Sequence, residues 1–103
     1  MKLSTAILNG CKLRPRKCRQ AFYRGTESAC VLGAAVLGAG LKPVGGIYKL
    51  TSKFPVLAGE PILGFTGESS KGATNLILQL IAMNDTTNWS RERIAKVLAE
   101  AGL

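Results

Sequence analysis

Apolar residues recur at helical spacing over most of this chain, and glycine, proline and short polar runs mark where each helix stops. Near the start, Leu3, Ile7 and Leu8 fall on one side of a short helix beginning at about Ser4, and Gly10 is read as its end. Leu13-Arg14-Pro15 interrupts the pattern, because proline disfavours helix in the residue before it. Arg16 to Tyr23 is expected to form a second short helix or a turn, and Gly25 to Ser28 a connector. Ser28 to Gly40 reads as a buried helix with Ser28 as its N-cap. Within it small residues recur four apart: Ala29 and Gly33, Ala34 and Gly38, Ala35 and Ala39. That spacing gives one smooth face, against which another element can pack closely. A buried strand is the competing reading for Val31 to Leu37; the length and alanine content favour helix.

Lys42 to Gly46 is a turn or a helix start, and Ile47, Leu50 and Phe54 predict a short helix that Pro55 ends. Val56 to Gly72 is the least regular stretch. It holds Pro61 and the glycines 59, 64, 67 and 72, and a long glycine-rich middle loop is expected there. Ala73, Leu76, Ile77, Leu80 and Met83 then predict a helix, with Ser69, Ser70 or Thr74 as its cap. Asn84 to Asn88 is a polar turn. Ser90 N-caps a final helix with Glu92 in its first turn, where the helix dipole favours an acid. Trp89 and Ile94 flank that cap as a hydrophobic staple, which makes Trp89 a core anchor. Ile94, Ala95, Val97 and Leu98 form the buried face, Arg91, Arg93 and Lys96 the solvent face, and Gly102 ends the helix. The expected fold is all-α: one compact domain over residues 1–103, of four to six short helices around a glycine-rich middle loop.

Charge changes this picture by dividing the chain. Lys2, Lys12, Arg14, Arg16, Lys17, Arg19 and Arg24 lie in residues 1–24, which contain no acid. Of the net charge of +8, the first quarter therefore carries +7. With a sequence pI near 9.9, the chain meets the pI-above-9 guide for nucleic-acid binders. Lys12, Arg14, Arg16, Lys17, Arg19 and Arg24 are the candidate phosphate contacts, since counterion release favours such clusters. Phe22 and Tyr23 beside them are either core residues or a stacking platform for bases. The plainer alternative is a solvated basic surface, or a face for an acidic protein.

Other chemistry is poorly supplied. The chain has no His, its six acids are scattered, and a cysteine nucleophile would lack its usual base. Cys11, Cys18 and Cys30 are odd in number and include no Cys-x-x-Cys pair; zinc would need all three plus a carboxylate. Reduced thiols packed as small hydrophobes, with no metal and no cofactor, are expected. Gly64 to Gly72 superficially looks like a phosphate loop, but Ser70 precedes Lys71 and Gly72 follows it, the wrong order. Leu76–Met83 and Ser90–Ala101 are two consecutive helices, and Ile94-Ala95-x-x-Leu98-Ala99-x-Ala101-Gly102 resembles the first helix and turn of a helix-turn-helix. No recognition helix follows, so a packed helical hairpin is expected instead. The longest uncharged apolar run, Ala29 to Leu41, is thirteen residues against the ~20 that span a bilayer. A cytoplasmic, non-membrane chain, kept at its full length, is expected.

Several motifs resemble a family of small, mostly uncharacterised bacterial proteins, some linked to phage or mobile elements. They are Leu3-Ser4-x-Ala6-Ile7, Leu13-Arg14-Pro15, Cys30-Val31-Leu32-Gly33-Ala34-Ala35, and Asn84-Asp85 followed by Trp89-Ser90-Arg91-Glu92-Arg93-Ile94-Ala95. The resemblance implies a small helical domain. It implies no activity, substrate or catalytic residue. Relatives carry extra Cys and His in the middle region; this chain has none there, so no metal role transfers. The functional expectation is therefore non-catalytic binding, with nucleic acid as the leading partner. The alternative is a protein–protein module or homodimer using residues 29–39 and the apolar stretch Phe54–Phe65.

Overall fold

A computed structural model describes residues 1–62 and 72–103 of the chain. Leu3–Leu13 forms helix α1, followed by three two-residue strands: β1 (Arg16–Lys17), β2 (Tyr23–Arg24) and β3 (Ser28–Ala29). Helices α2 (Val31–Gly38), α3 (Gly46–Lys53), α4 (Leu76–Asp85) and α5 (Arg91–Glu100) complete the order, with a 3-10 turn at Pro55–Ala58. The radius of gyration is 12.1 Å, against about 13 Å for a compact chain of 100 residues, so the elements form one unit.

α1 and α2 are the most closely packed pair, and small residues make that approach. Leu3, Ala6, Ile7 and Gly10 form the buried stripe of α1. A side chain on Gly10 would collide with the Ala34 carbonyl of α2, and one on Gly38 with the Ala6 carbonyl of α1. The two backbones are thus in direct contact, as the four-residue spacing of small side chains predicts. Gly10 does not end α1, which continues to Leu13; its missing side chain serves the crossing instead. Residues 31–36 of α2 are all buried within the chain.

The core is built from Leu3, Ile7, Leu32, Leu50, Leu80 and Leu98, with further residues from every helix. Leu50 and Phe54 of the α3 segment are buried, as their spacing predicts. Asn75, rather than a preceding Ser or Thr, caps α4, its side chain accepting from the Leu78 N–H at 2.8 Å. Ser90 caps α5, accepting from the Arg93 N–H at 3.1 Å, and Gly102 ends it at φ 82°. Trp89 packs half-buried against the core. The Ser69 and Ser70 caps, the phosphate-loop look-alike up to Lys71, and Phe65 of the apolar stretch lie outside the described residues.

The fold is mostly helical but not all-α. Arg16–Tyr23 forms no helix. β3 lies between the other strands, parallel to β1 and antiparallel to β2, with Ser28 opposite both Arg16 and Arg24. Two left-handed residues, Gln20 at φ 63° and Gly25 at φ 59°, turn the chain between strands and are incompatible with a helix there. The sheet also displaces the expected cap of α2. Ser28 stays in β3, and Cys30 caps the helix through its thiol, which accepts from the Gly33 N–H at 3.4 Å.

The crossing predicts a stability effect. Gly10→Ala or Gly38→Ala should destabilise the protein by about 1–3 kcal/mol or more, because a backbone carbonyl cannot move aside. Urea unfolding of each variant measures this. An unchanged midpoint would show that the helices are further apart.

Candidate nucleic-acid interface

The basic segment contributes little apolar surface, so something else must hold it. Three side chains do so. Arg91, at the first position of α5, is only 2% exposed. Its guanidinium donates to the carbonyls of Arg14 at 2.7 Å, Pro15 at 2.9 Å and Ala29 at 3.2 Å. It therefore fastens the entry to β1 and the end of β3 to the last helix. Arg91 does not belong to the solvent face of α5. Arg93 and Lys96 do, with Arg93 placed over the Trp89 ring at 3.6 Å.

Asn84, on α4, is buried at 1% exposure. Its amide donates to the Cys18 carbonyl at 3.0 Å, and its oxygen accepts from the Val31 N–H at 3.0 Å. One side chain thus caps α2 and fixes the residue after β1. Lys17 is the third tie. Its Nζ donates to the carbonyls of Asn84 at 3.2 Å and Trp89 at 3.1 Å, and to Asn88 Oδ1. Burial, and then the positive charge of Arg19, hold the Lys17 pKa below its ordinary value. Arg14 is also committed inward. It donates to the carbonyls of Gly25 at 2.6 Å and Ser28 at 3.3 Å, and lies 5.5 Å from the centre of the Tyr23 ring.

The six candidate phosphate contacts therefore divide by burial. Arg14 and Lys17 are half-buried, whereas Lys12, Arg16, Arg19 and Arg24 are exposed, Arg19 with Nη1 donating to the Asp85 carbonyl at 3.4 Å. Lys17, Arg19 and Arg24 line one cleft of about 460 Å³ together with Cys18, Gln20 and Ser28. Among the described residues, no carboxylate lines it. Arg24 Nη2 donates to the Arg19 carbonyl at 3.3 Å, which keeps the two arginines adjacent. Arg16 instead forms a long exposed ion pair with Glu27 at 3.9 Å, a contact of small energy in water. Lys12 sits in the last turn of α1 and is not part of the cleft lining.

The thiols are free, and one of them, Cys18, lies in the cleft lining. Cys18 and Cys30 are buried. Burial raises the pKa of Cys30, and pushes that of Cys11 up to about 11. Among the described residues, no group of three His, Cys, Asp or Glu is placed to hold a metal ion. Among them, too, no helix is long and apolar enough to cross a membrane.

Two residues that organise the face escaped the sequence reading, yet each left a signal. A cation at the first position of a helix opposes the dipole, so Arg91 must be held by other partners. Asn84 continues the buried stripe of Leu76 and Leu80 at four-residue steps, where a polar side chain needs a buried partner. No family model, curated protein or solved structure matches the chain. The motif resemblance therefore rests on those short motifs alone.

The polar ties yield a mutational contrast. Arg91→Met should cost about 3–5 kcal/mol, since it strands three carbonyls in a poorly hydrated site. Arg93→Met, which loses only an exposed ring contact, should cost about 1 kcal/mol or less. Denaturant midpoints measure both. Equal effects would show that Arg91 is a surface residue.

Proposed function

We propose that this protein binds nucleic acid through the phosphate backbone, with Arg19 and Arg24 as the principal contacts and Arg16 and Lys12 flanking them. One observation carries the reading: Lys17, Arg19 and Arg24, from an acid-free sequence segment, converge on a cleft that no carboxylate lines among the described residues. Such a cleft attracts an anion, and guanidinium groups match phosphate oxygens with paired donors. Its cations are fixed mainly by carbonyl oxygens, with the carboxylates of Asp85 and Glu92 acting on Lys17 from outside the lining. Arg14 and Lys17 bind carbonyl oxygens, so their charge adds to the outward field. The reading is of binding rather than catalysis: among the described residues no acid lines the cleft to act as a general base.

Binding to labelled single-stranded DNA, duplex DNA and RNA across a salt series tests this. The parent should bind with a steep salt dependence. Arg19→Gln/Arg24→Gln should flatten the log–log slope by about 1.4–1.8, the value for two lost phosphate contacts. The fold should survive, because both side chains are exposed. No binding at low salt, or an unchanged slope in the variant, would refute the proposal.

A further inference from the structure

Beside the basic cleft the structure holds an apolar groove of about 230 Å³. Phe22 and Tyr23 form one wall, and Pro43, Ile47 and Tyr48 the other. Val36 and Gly46 close it between them, with the Gly46 backbone seated directly on the Val36 side chain. Tyr48 is 79% exposed and Phe22 42% exposed, so two rings stand open to solvent where one α-helix faces an edge strand. Exposed aromatic side chains of this kind carry large apolar surface into water unless a partner covers them. The groove is smaller than the roughly 300 Å³ at which pockets for drug-sized ligands begin, so it suits a single flat ring system.

The surroundings of the groove select the charge of what enters. Lys42 precedes Pro43, and Lys49 follows Tyr48; both are exposed. No acid occurs between Ser28 and Gly59, and among the described residues none lines the groove. Tyr23 lines the groove while Arg24, its neighbour on β2, lines the phosphate cleft. Consecutive side chains of a strand project to opposite faces, and β2 is an edge strand, so the two sites lie on either side of one sheet edge and a bound strand passes around it.

We infer that this groove receives one unstacked base of a single-stranded nucleic acid, held against Phe22 and Tyr48, while the adjoining phosphate lies at Arg24. The inference rests on the phosphate-binding reading above and narrows it from nucleic acid in general to single strands. A duplex keeps its bases stacked and paired, so it can present phosphates to Arg19 and Arg24 but no free ring to the groove. Base–aromatic stacking contributes about 1–3 kcal/mol per base and is tolerant of sequence, so affinity should depend little on base identity.

Fluorescence anisotropy with a labelled single-stranded oligonucleotide and a matched duplex tests this on the full chain, using Tyr48→Ala, Tyr48→Phe and Phe22→Ala. Tyr48→Ala and Phe22→Ala should each weaken single-strand binding about fivefold to a hundredfold, with the salt slope unchanged. Tyr48→Phe should restore it, and duplex affinity should be lower than single-strand affinity and indifferent to all three changes. Variants that bind the single strand as the parent does would overturn the inference and leave phosphate binding intact. Equal losses on duplex and single strand would also overturn it. A parent that binds neither at low salt would remove both readings together. Tyr48 is so exposed that its replacement should not disturb folding, and an unchanged urea midpoint checks this.

Discussion

A buried arginine with carbonyl partners is the constraint on which the rest of this structure depends. Taking a guanidinium out of water is costly, and it is tolerated only where its donors are satisfied. Arg91 meets most of that demand: Nη1 and Nη2 donate to main-chain oxygens of Arg14, Pro15 and Ala29, while among the described residues the buried Nε finds no partner. These residues are far apart in sequence from α5 and bracket the small sheet. The energetic need of one charge therefore decides where a segment with little apolar surface must lie. Asn84 and Lys17 extend the same logic, joining Cys18 and Val31 to α4 and β1 to the α4–α5 turn.

This form of support has an electrostatic consequence. A basic residue paired with a carboxylate loses most of its outward field; one paired with carbonyl dipoles keeps its net charge. Arg14, Lys17 and Arg91 thus hold the fold together through carbonyl oxygens, with carboxylates (Asp85 and Glu92) acting on Lys17. Arg19 and Arg24 are displayed on the result, on a backbone turned by the left-handed Gln20 and Gly25. Scaffold and candidate binding surface are consequently made from the same residue type, sorted by what each side chain reaches.

The helices were legible in the sequence wherever burial has a helical period. Leu50 and Phe54, Leu76, Leu80 and Met83, and Ile94 and Leu98 all fall inside as their spacing requires. What was not legible has physical causes. Two-residue strands carry no periodicity, and only the turns at Gln20 and Gly25 and the distant Arg91 give them their shape. Gly10 reads locally as a terminator, yet its role comes from Ala34 across the helix crossing. The identity of the basic residues was plain, but not their division. Nothing in the local sequence separates Lys17, whose partners lie near Asn84 and Trp89, from Arg19, which faces the cleft. The aromatic groove likewise needs Tyr48 beside Phe22, a juxtaposition made by α3 and β2 together.

Amide hydrogen exchange on the native protein tests most directly whether buried polar ties make the basic segment part of the core. The Arg16, Cys18 and Cys30 amides donate to Glu27, Ala29 and Phe22 respectively, at 3.0, 3.3 and 2.9 Å. If Arg91 and Asn84 hold that segment, these amides should open with free energies close to those of the α1 and α2 interior, in one cooperative unit. Exchange of these three amides at rates near those of exposed turns, while α1 and α2 stay protected, would contradict the account.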